Sequence, residues 1–190
     1  MRAILASKSP RRRELLARII PEFEIIVAET DESLPDTIHP SAGVELLAVR
    51  KGSAVRELVG DEALIVSSDT LVEIGGTPLG KPTDREDAHR ILSMLSGESH
   101  HVHTGVAVHY KGRVFSGTHT STVTFRPMAD EEIYSYIDTG EPMDKAGAYG
   151  IQGLGGRFVE RFDGEFESIM GLSITLTRSL IEQATGGKDD

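Results

Sequence analysis

Hydrophobic and polar positions alternate in a way that divides the first third of the chain into short strands and two helices. Apolar runs and periodic stripes predict strands over 1–6, 23–27 and 63–67 and helices over 10–20 and 41–59. Ser9 is a favourable N-cap and Pro10 a favourable first helical residue, so the start of the first helix is well specified. Gly52 interrupts the second helix and should weaken it by up to about 1 kcal/mol relative to alanine.

The rest of the chain mixes hairpins with amphipathic helices. The pattern predicts a hairpin over 71–79, a helix over 83–97, strands over 101–110 and 113–125, a helix over 130–139, a hairpin at Asp163-Gly164 and a last helix from Ser173. Thr83 and Glu86 form a capping box for the helix over 83–97. This alternation predicts a single α/β domain with a mixed sheet over residues 1–185, followed by a frayed tail over 186–190.

Charge is unevenly distributed along the 190 residues. The chain has 20 basic and 30 acidic residues and a net charge of −10, yet residues 1–13 hold five basic residues and no acid. An acidic body disfavours nonspecific binding to nucleic acid or anionic lipid, whereas a local basic segment favours capture of a small anion. The alternative is that this segment is only a helix with solvated arginines.

Composition also limits the cellular compartments and the types of chemistry that are possible for this protein. Cysteine is absent, which excludes disulfides, thiol nucleophiles and cysteine-ligated metals. No apolar run reaches the roughly 18 residues of a membrane span, and the N-terminal basic cluster follows the apolar stretch, the reverse of a secretory signal. We therefore expect a cytoplasmic protein that binds neither membrane nor nucleic acid.

The basic segment SKSPRR lies where the first strand meets the first helix. The hydroxyls of Ser7 and Ser9, the free N–H groups of the helix start and the guanidinium groups of Arg11 and Arg12 together suit a phosphate. A bound phosphate would also explain cations at the positive end of a helix dipole. Otherwise Ser9 only caps the helix and the arginines are solvated.

The segment SSDTLVEIGGTPLGKP offers a carboxylate and an ammonium group. Asp69 is predicted just past the end of an apolar strand, where open α/β sheets place catalytic groups, and Lys81 follows the hairpin. Asp69 could activate water or hold a divalent cation, and Lys81 could neutralise phosphate. The alternative is a turn residue and a surface charge.

This segment is also a near match to the phosphate-binding loop GxxxxGK. Gly75, Gly80 and Lys81 fit the spacing, but Pro82 stands where a serine or threonine hydroxyl would bind magnesium. Proline also lacks an N–H group, and the glycines fall in a hairpin instead of between a strand and a helix. The sequence therefore argues against such a loop.

Two clusters could bind metal, and the glycine-rich stretch could line a pocket. The clusters are the acidic loop of Glu29, Asp31 and Glu32 and the strand histidines His100, His101 and His103. Carboxylates suit magnesium or manganese, although acidic loops are usually solvated. The histidines have no local carboxylate to complete a site. The pocket candidates are Lys145, Tyr149 and Gln152, in a loop that is equally consistent with a structural role.

Taken together, these motifs resemble the Maf family of nucleoside triphosphate pyrophosphatases, also called septum-formation inhibitor proteins. The matching segments are ILASKSPRRRELL, VAETDE, the lysine of VRKGSA, SDTLV, LGKP, LSG and EPMDKAGAYGIQGLGG. The resemblance implies an elongated mixed sheet flanked by helices, related to inosine triphosphate pyrophosphatases. It also implies a homodimer and a Mg²⁺- or Mn²⁺-dependent hydrolysis of a nucleoside triphosphate to its monophosphate and pyrophosphate.

The resemblance assigns roles to individual side chains. Asp69 would be the general base or a metal-bound carboxylate, with Glu32 close to the metal. The triphosphate would be held by Ser7, Arg12, Lys51 and Lys81. The cellular task could be the removal of unwanted nucleotides or an effect on septum formation. A noncatalytic nucleotide-binding regulator of septum formation is the alternative, although Asp69 and Lys81 argue against pure binding.

Three positions resemble the branch of the family that acts on dTTP and UTP. They are Arg11, Thr70 and Gln152. The Gln152 amide could pair with a pyrimidine edge, including that of a modified pyrimidine. Ser68 and Gly52 depart from the usual alanines, which should affect rate or stability more than the class of reaction.

Overall fold

A computed structural model describes residues 1–187. Its strands are β1 (Ala3–Leu5), β2 (Glu24–Ile25), β3 (Leu64–Ile74), β4 (Thr77–Leu79), β5 (Ser99–Tyr110), β6 (Arg113–Phe125) and β7 (Val159–Asp163). Its α-helices are α1 (Pro10–Ala17), α2 (Pro40–Val59), α3 (Arg85–Leu95), α4 (Asp130–Ile137), α5 (Phe166–Met170) and α6 (Ile174–Thr185). The frayed tail predicted over 186–190 extends beyond the described residues.

The strands of the described chain form a seven-stranded mixed sheet. Its order is β2-β1-β3-β5-β6-β7, with β4 paired to β3. β1 runs parallel to both β2 and β3, and Ile4 is opposite Glu24 on one side and Ile65 on the other. β4 and β7 add antiparallel pairs to β3 and β6. The predicted α/β fold with a mixed sheet is therefore confirmed.

The residues group into two compact units. The first comprises residues 1–69, 104–119 and 171–187 of the described chain, and its apolar residues include Ile4, Ala6, Val55, Ala63 and Ile65. The second comprises residues 70–103 and 120–170. In the second, the predicted stripe of α3 is buried with aromatic residues, and the set includes Ala88, Ile91, Leu92, Leu95, Phe125, Tyr136 and Phe158.

Strand β3 is longer than predicted, which corrects the placement of Asp69. The expected strand ended at Ser67, but β3 continues to Ile74, so Asp69 lies inside a strand. Serines did not end the strand because their hydroxyls find acceptors: Ser67 donates to the carbonyl of Ala48 and Ser68 to that of Gly105. A buried polar side chain with a partner costs little, so polar residues can continue a central strand.

One predicted helix cap and one predicted turn were also wrong. Helix α3 is capped by Asp84, whose carboxylate accepts from the Asp87 amide, and Thr83 instead donates to Asp87. No hairpin forms at Asp163-Gly164, because the chain continues into α5 and Glu165 N–H donates to Ser121 Oγ. Tertiary contacts therefore overrode a local turn signal.

No helix in the described part of the chain combines the length and apolar character needed to cross a membrane.

Candidate active site

The first unit brings together an ammonium group and two carboxylates. Lys51 Nζ lies 2.6 Å from Asp69 Oδ1 and 2.9 Å from Glu32 Oε1. The side chains of Lys51 and Asp69 are only 19% and 16% exposed, whereas that of Glu32 is 63% exposed. The cation allows two carboxylates to lie close together, because it offsets their mutual repulsion. Three of the predicted site residues therefore meet in one cluster.

Close contact between α2 and the sheet positions Lys51 over Asp69. Ser67 Oγ, two residues before Asp69, donates to the Ala48 carbonyl of α2 at 2.7 Å. Gly52 follows Lys51, and a Cβ added there would overlap the His109 ring and lie 2.7 Å from Ser67 Oγ. The glycine that seemed to weaken α2 is what allows the helix to lie this close to β3 and β5.

The acidic loop is held against the same helix by Arg50. Its guanidinium donates to the backbone carbonyls of Asp31 and Ser33, at 3.2 and 2.6 Å. Asp31 accepts from the Ser33 amide, and hydrogen bonds to Ser33 hold the pKa of the Asp31 carboxyl below its usual value. Within residues 1–187, Glu32 is the one member of the predicted acidic trio that contacts Lys51, so the loop supplies one carboxylate to the cluster.

The N-terminal basic segment combines capping with charge. Ser7 is buried and its hydroxyl accepts from Ser9 N–H, while Ser9 Oγ accepts from the Arg12 amide as the N-cap of α1. The predicted helix start is confirmed. The hydroxyls of Ser7 and Ser9 therefore have structural partners of their own, which accounts for the local conformation from which Arg11 and Arg12 extend.

Arg12 is oriented by a backbone carbonyl. Its Nε donates to the Gly171 carbonyl at 2.9 Å, and the same carbonyl accepts from Ser68 Oγ at 2.9 Å. Burial lowers the pKa of the Arg12 guanidinium, while the charges of Asp69 and Glu32 act in the opposite direction. Arginine stays charged despite such a shift, so Arg12 supplies a fixed positive charge beside the acidic cluster.

The other predicted residues, Thr70, Lys81 and Gln152, lie in the second unit. Lys81 and Gln152 are exposed, and Thr70 is partly buried. Lys81 directly follows Gly80, whose carbonyl accepts from the Gly147 amide at 3.1 Å. That hydrogen bond ties the segment after β4 to the glycine-rich stretch.

The pocket candidates of the glycine-rich stretch turn out to make structural contacts. Tyr149 is buried, and its hydroxyl lies 2.7 Å from His100 Nε2. Lys145 Nζ donates to Asp144 and to the Glu141 carbonyl. Both side chains therefore stabilise the loop that carries Gln152.

The strand histidines do not form a metal site in the described residues. His103 Nε2 lies 2.8 Å from Glu73 Oε2, and His101 pairs with the Thr122 hydroxyl. No group of three or more histidine or acidic side chains suitable for a metal occurs in residues 1–187. The buried pair of His103 and Glu73 was not predicted from the sequence, where its available signal was a lone carboxylate inside an apolar strand.

Asp69 and Glu32 have the donor chemistry for a hard divalent cation. Magnesium and manganese prefer carboxylate oxygen and commonly retain waters or substrate phosphate oxygens as further ligands. Two carboxylates close together fit that pattern, since the remaining positions need no further protein side chain. The residues present are therefore compatible with a cation that binds together with a phosphorylated substrate.

The fold and this cluster define an α/β protein that presents a basic helix start, a lysine and paired carboxylates in one unit. A family described as Maf-like protein matches residues 2–184, and the chain belongs to that family. A dTTP/UTP pyrophosphatase of Bdellovibrio bacteriovorus is 45% identical over 186 residues, covering 95% of this chain and 97% of the relative.

A second relative agrees with this assignment, and a solved structure shares the fold. A dTTP/UTP pyrophosphatase of Thermococcus kodakarensis is 45% identical and covers 94% of this chain and 95% of its own. The Staphylococcus aureus Ham1 protein has a TM-score of 0.53 at 14% identity, covering 97% of this chain and 91% of its own. That similarity confirms the expected fold.

Replacing Gly52 by alanine should destabilise the protein, although alanine favours helices. The new methyl group would overlap the His109 ring, and overpacking of a core typically costs about 1–3 kcal/mol, more than the roughly 1 kcal/mol gained in helix propensity. Urea unfolding should show a lower midpoint for Gly52→Ala. Adding His109→Ala should recover part of the loss, because it removes the overlapping ring.

Gly43→Ala is the matched control in the same helix. A Cβ at Gly43 would approach closely only the end of the flexible Leu34 side chain, with Ile38 Cγ2 at an ordinary contact distance of 3.7 Å. This variant should therefore be as stable as the wild type or more so. A Gly52→Ala protein with the wild-type unfolding midpoint would contradict the close approach of α2 to His109.

Proposed function

We propose that this protein hydrolyses a pyrimidine nucleoside triphosphate, dTTP or UTP, to the monophosphate and pyrophosphate. The observation that carries the proposal is the cluster in which Lys51 Nζ contacts both Asp69 and Glu32, with Arg12 supplying a further charge. Relatives at 43–45% identity over nearly the whole chain, named dTTP/UTP pyrophosphatases, support the same reaction.

In the proposed reaction, water attacks the α-phosphorus. A bond forms between the water oxygen and that phosphorus, the bond from phosphorus to the oxygen bridging to the β-phosphate breaks, and pyrophosphate leaves with the electron pair. Asp69 accepts the proton of the attacking water at its carboxylate. Arg12, Lys51 and Lys81 offset the charge of the triphosphate, while Ser7 helps to hold it.

Asp69 and Glu32 are the residues that would hold Mg²⁺ or Mn²⁺. The ion would supply positive charge to the phosphate oxygens and lower the pKa of water. Lys51 has a second role in this scheme, because its ammonium group keeps the two carboxylates together before substrate arrives. A phosphate group of the substrate would then compete with those carboxylates for Lys51.

Selectivity for pyrimidines is assigned to Arg11, Thr70 and Gln152. The Gln152 amide offers both a donor and an acceptor, which matches the edge of uracil or thymine. Because this edge is shared by bases modified elsewhere on the ring, modified pyrimidine nucleotides are also candidate substrates. The proposed cellular task is removal of such nucleotides, with an effect on septum formation.

Product analysis tests the proposal directly. Wild-type protein incubated with UTP or dTTP and Mg²⁺ or Mn²⁺ should release the monophosphate and pyrophosphate in equal amounts, with slower turnover of ATP and GTP. Orthophosphate as the first product would refute the assigned bond cleavage. A thermal shift with UTP and metal but no hydrolysis would instead favour the nucleotide-binding regulator.

A further inference from the structure

The carboxylate of Glu141 binds the glycine-rich loop beyond Gln152. The Leu154 amide donates to Glu141 Oε2 at 2.9 Å, and the Gly155 amide donates to Glu141 Oε1 at 3.1 Å. Tyr136 Oη also donates to Glu141 Oε1, at 2.6 Å. Hydrogen bonds to a charged acceptor are among the stronger ones in proteins, so this end of the loop is firmly held.

Tyr136 holds the loop before Gln152. Its hydroxyl, which donates to Glu141, accepts from the Gly150 amide at 3.2 Å. The Tyr136 side chain is itself buried and packs edge-on against Phe158, with ring centroids 5.1 Å apart. A buried part of the core therefore holds the backbone on both sides of Gln152.

Two glycines of this loop lie so close to Glu141 and Tyr136 that there is no space for a side chain. A Cβ at Gly153 would lie 2.6 Å from Glu141 Oε2, and a Cβ at Gly155 would lie 2.5 Å from Tyr136 Oη. Any side chain at either position would push the backbone away from the carboxylate or the hydroxyl. These glycines thus let the loop wrap closely around Glu141 and Tyr136, while the Gln152 residue between them remains exposed.

We propose that Glu141 and Tyr136 are positioning residues for recognition of the pyrimidine base. They hold residues 150–155 in one conformation, so that the Gln152 amide is ready to pair with the base instead of being ordered during binding. A loop that is already ordered loses less conformational freedom when its ligand binds, which increases affinity. This inference rests on the proposed function, in which Gln152 reads the base.

The test compares Glu141→Gln, Tyr136→Phe and Gln152→Ala by their kinetics with UTP and with GTP. Glu141→Gln replaces an acceptor oxygen with an NH₂ group that faces amide donors, and Tyr136→Phe removes only the hydroxyl. Each should raise KM for UTP by about tenfold with little change in kcat. The selectivity for UTP over GTP, expressed as the ratio of kcat/KM values, should fall by a similar factor.

Double variants separate positioning from general stabilisation of the fold. If Glu141 and Tyr136 act through Gln152, adding Glu141→Gln or Tyr136→Phe to Gln152→Ala should cause no further loss of selectivity. Losses that multiply in the double variants, or single variants that lower kcat equally for UTP and GTP, would overturn the inference. Thermal melts identify a variant that fails to fold, and the other substitution then decides.

Glu131→Gln, an exposed position on the same helix as Tyr136, is the control and should behave as wild type. The two proposals can fail separately. Wild-type protein without pyrimidine triphosphate hydrolysis would refute the proposed function. Wild-type protein that hydrolyses UTP selectively, with selectivity unchanged in Glu141→Gln and Tyr136→Phe, would refute only the positioning role.

Discussion

Asp69→Asn should lower kcat for UTP by about 10²–10⁴-fold while nucleotide binding persists. Asparagine keeps the size of the side chain but cannot accept a proton from water, and it removes the negative charge that faces Lys51 Nζ at 2.6 Å. Because Lys51 keeps its contact with Glu32, the rest of the cluster should stay in place. Pyrophosphate release measures kcat, and the thermal shift with UTP reports binding.

Asp61→Asn is the matched control for this prediction. Asp61 is an exposed carboxylate of the same unit that pairs with Arg56 at 3.2 Å. Exposed ion pairs contribute little to protein stability, so the loss of this carboxylate should leave kcat within about twofold of wild type. Near-normal turnover by Asp69→Asn would remove Asp69 from the reaction and leave the cluster as a binding site only.

Two buried neutral histidines should make stability fall steeply in mild acid. Burial lowers the pKa of His100 to about 4 and that of His109 to about 4. Each has an Nδ1 that is buried without a hydrogen-bond partner in the described structure, so a proton there would gain nothing. His100 packs against Phe125 and Tyr149, and the ring of His109 lies close to Gly52.

Stability should fall with decreasing pH because the unfolded state binds protons at a higher pH than the folded state does. With an unfolded pKa near 6.5, the unfolded chain is protonated as pH falls from about 6.5 to about 4, whereas the folded protein is not. The free energy of unfolding should therefore be level above about pH 7. It should then fall by about 2 kcal/mol for each histidine between about pH 7 and about pH 5.

Urea unfolding at a series of pH values tests this dependence. His109→Gln should roughly halve the fall in unfolding free energy, whereas His39→Asn, which keeps an N-cap residue at an exposed position, should leave it unchanged. The carboxyl pKa of Glu132 is lowered to about 2, chiefly by Arg126, so this group acts at lower pH. A stability that is flat from about pH 7 to about pH 5 would contradict the prediction.

Local signals predicted many of the elements because the relevant forces act within a few residues. The stripe of α3, the capping by Ser9 and the start of α6 at Ser173 follow from side-chain period and backbone hydrogen bonding, and all are confirmed. The β5–β6 turn is another case: Lys111 and Gly112 both have positive φ, as a two-residue type I′ turn requires.

The predictions that failed depended on partners far along the chain. Strand β3 continues through Ser67 and Ser68 because carbonyls far along the chain accept hydrogen bonds from their hydroxyls. No local sequence pattern predicts those acceptors. Likewise, Gly52 looked like a weakness of α2 until His109, 57 positions later, was seen to occupy the space beside it. Such contacts depend on tertiary packing, about which local propensity carries no information.

The residues of the candidate site also fall into those that local sequence predicts and those that depend on distant contacts. Asp69, Lys81 and the basic segment could be selected from their residue types and setting, whereas Lys51 was named only through resemblance to the Maf family, because one lysine on a predicted helix carries no signal of its own. The structure supplies the missing signal, because Lys51 contacts both Asp69 and Glu32. Glu141 and Tyr136 went unnoticed for the same reason.

By itself, the sequence determined the α/β class, the family and the basic segment, since these depend on local periodicity, charge and ordered motifs. Tertiary structure alone decided which polar groups meet. Lys51 joins two carboxylates, Glu141 holds the loop of Gln152, and His103 pairs with Glu73. The physical reason is that a buried polar group needs a partner at hydrogen-bond distance, and only the packing of distant segments brings that partner into place.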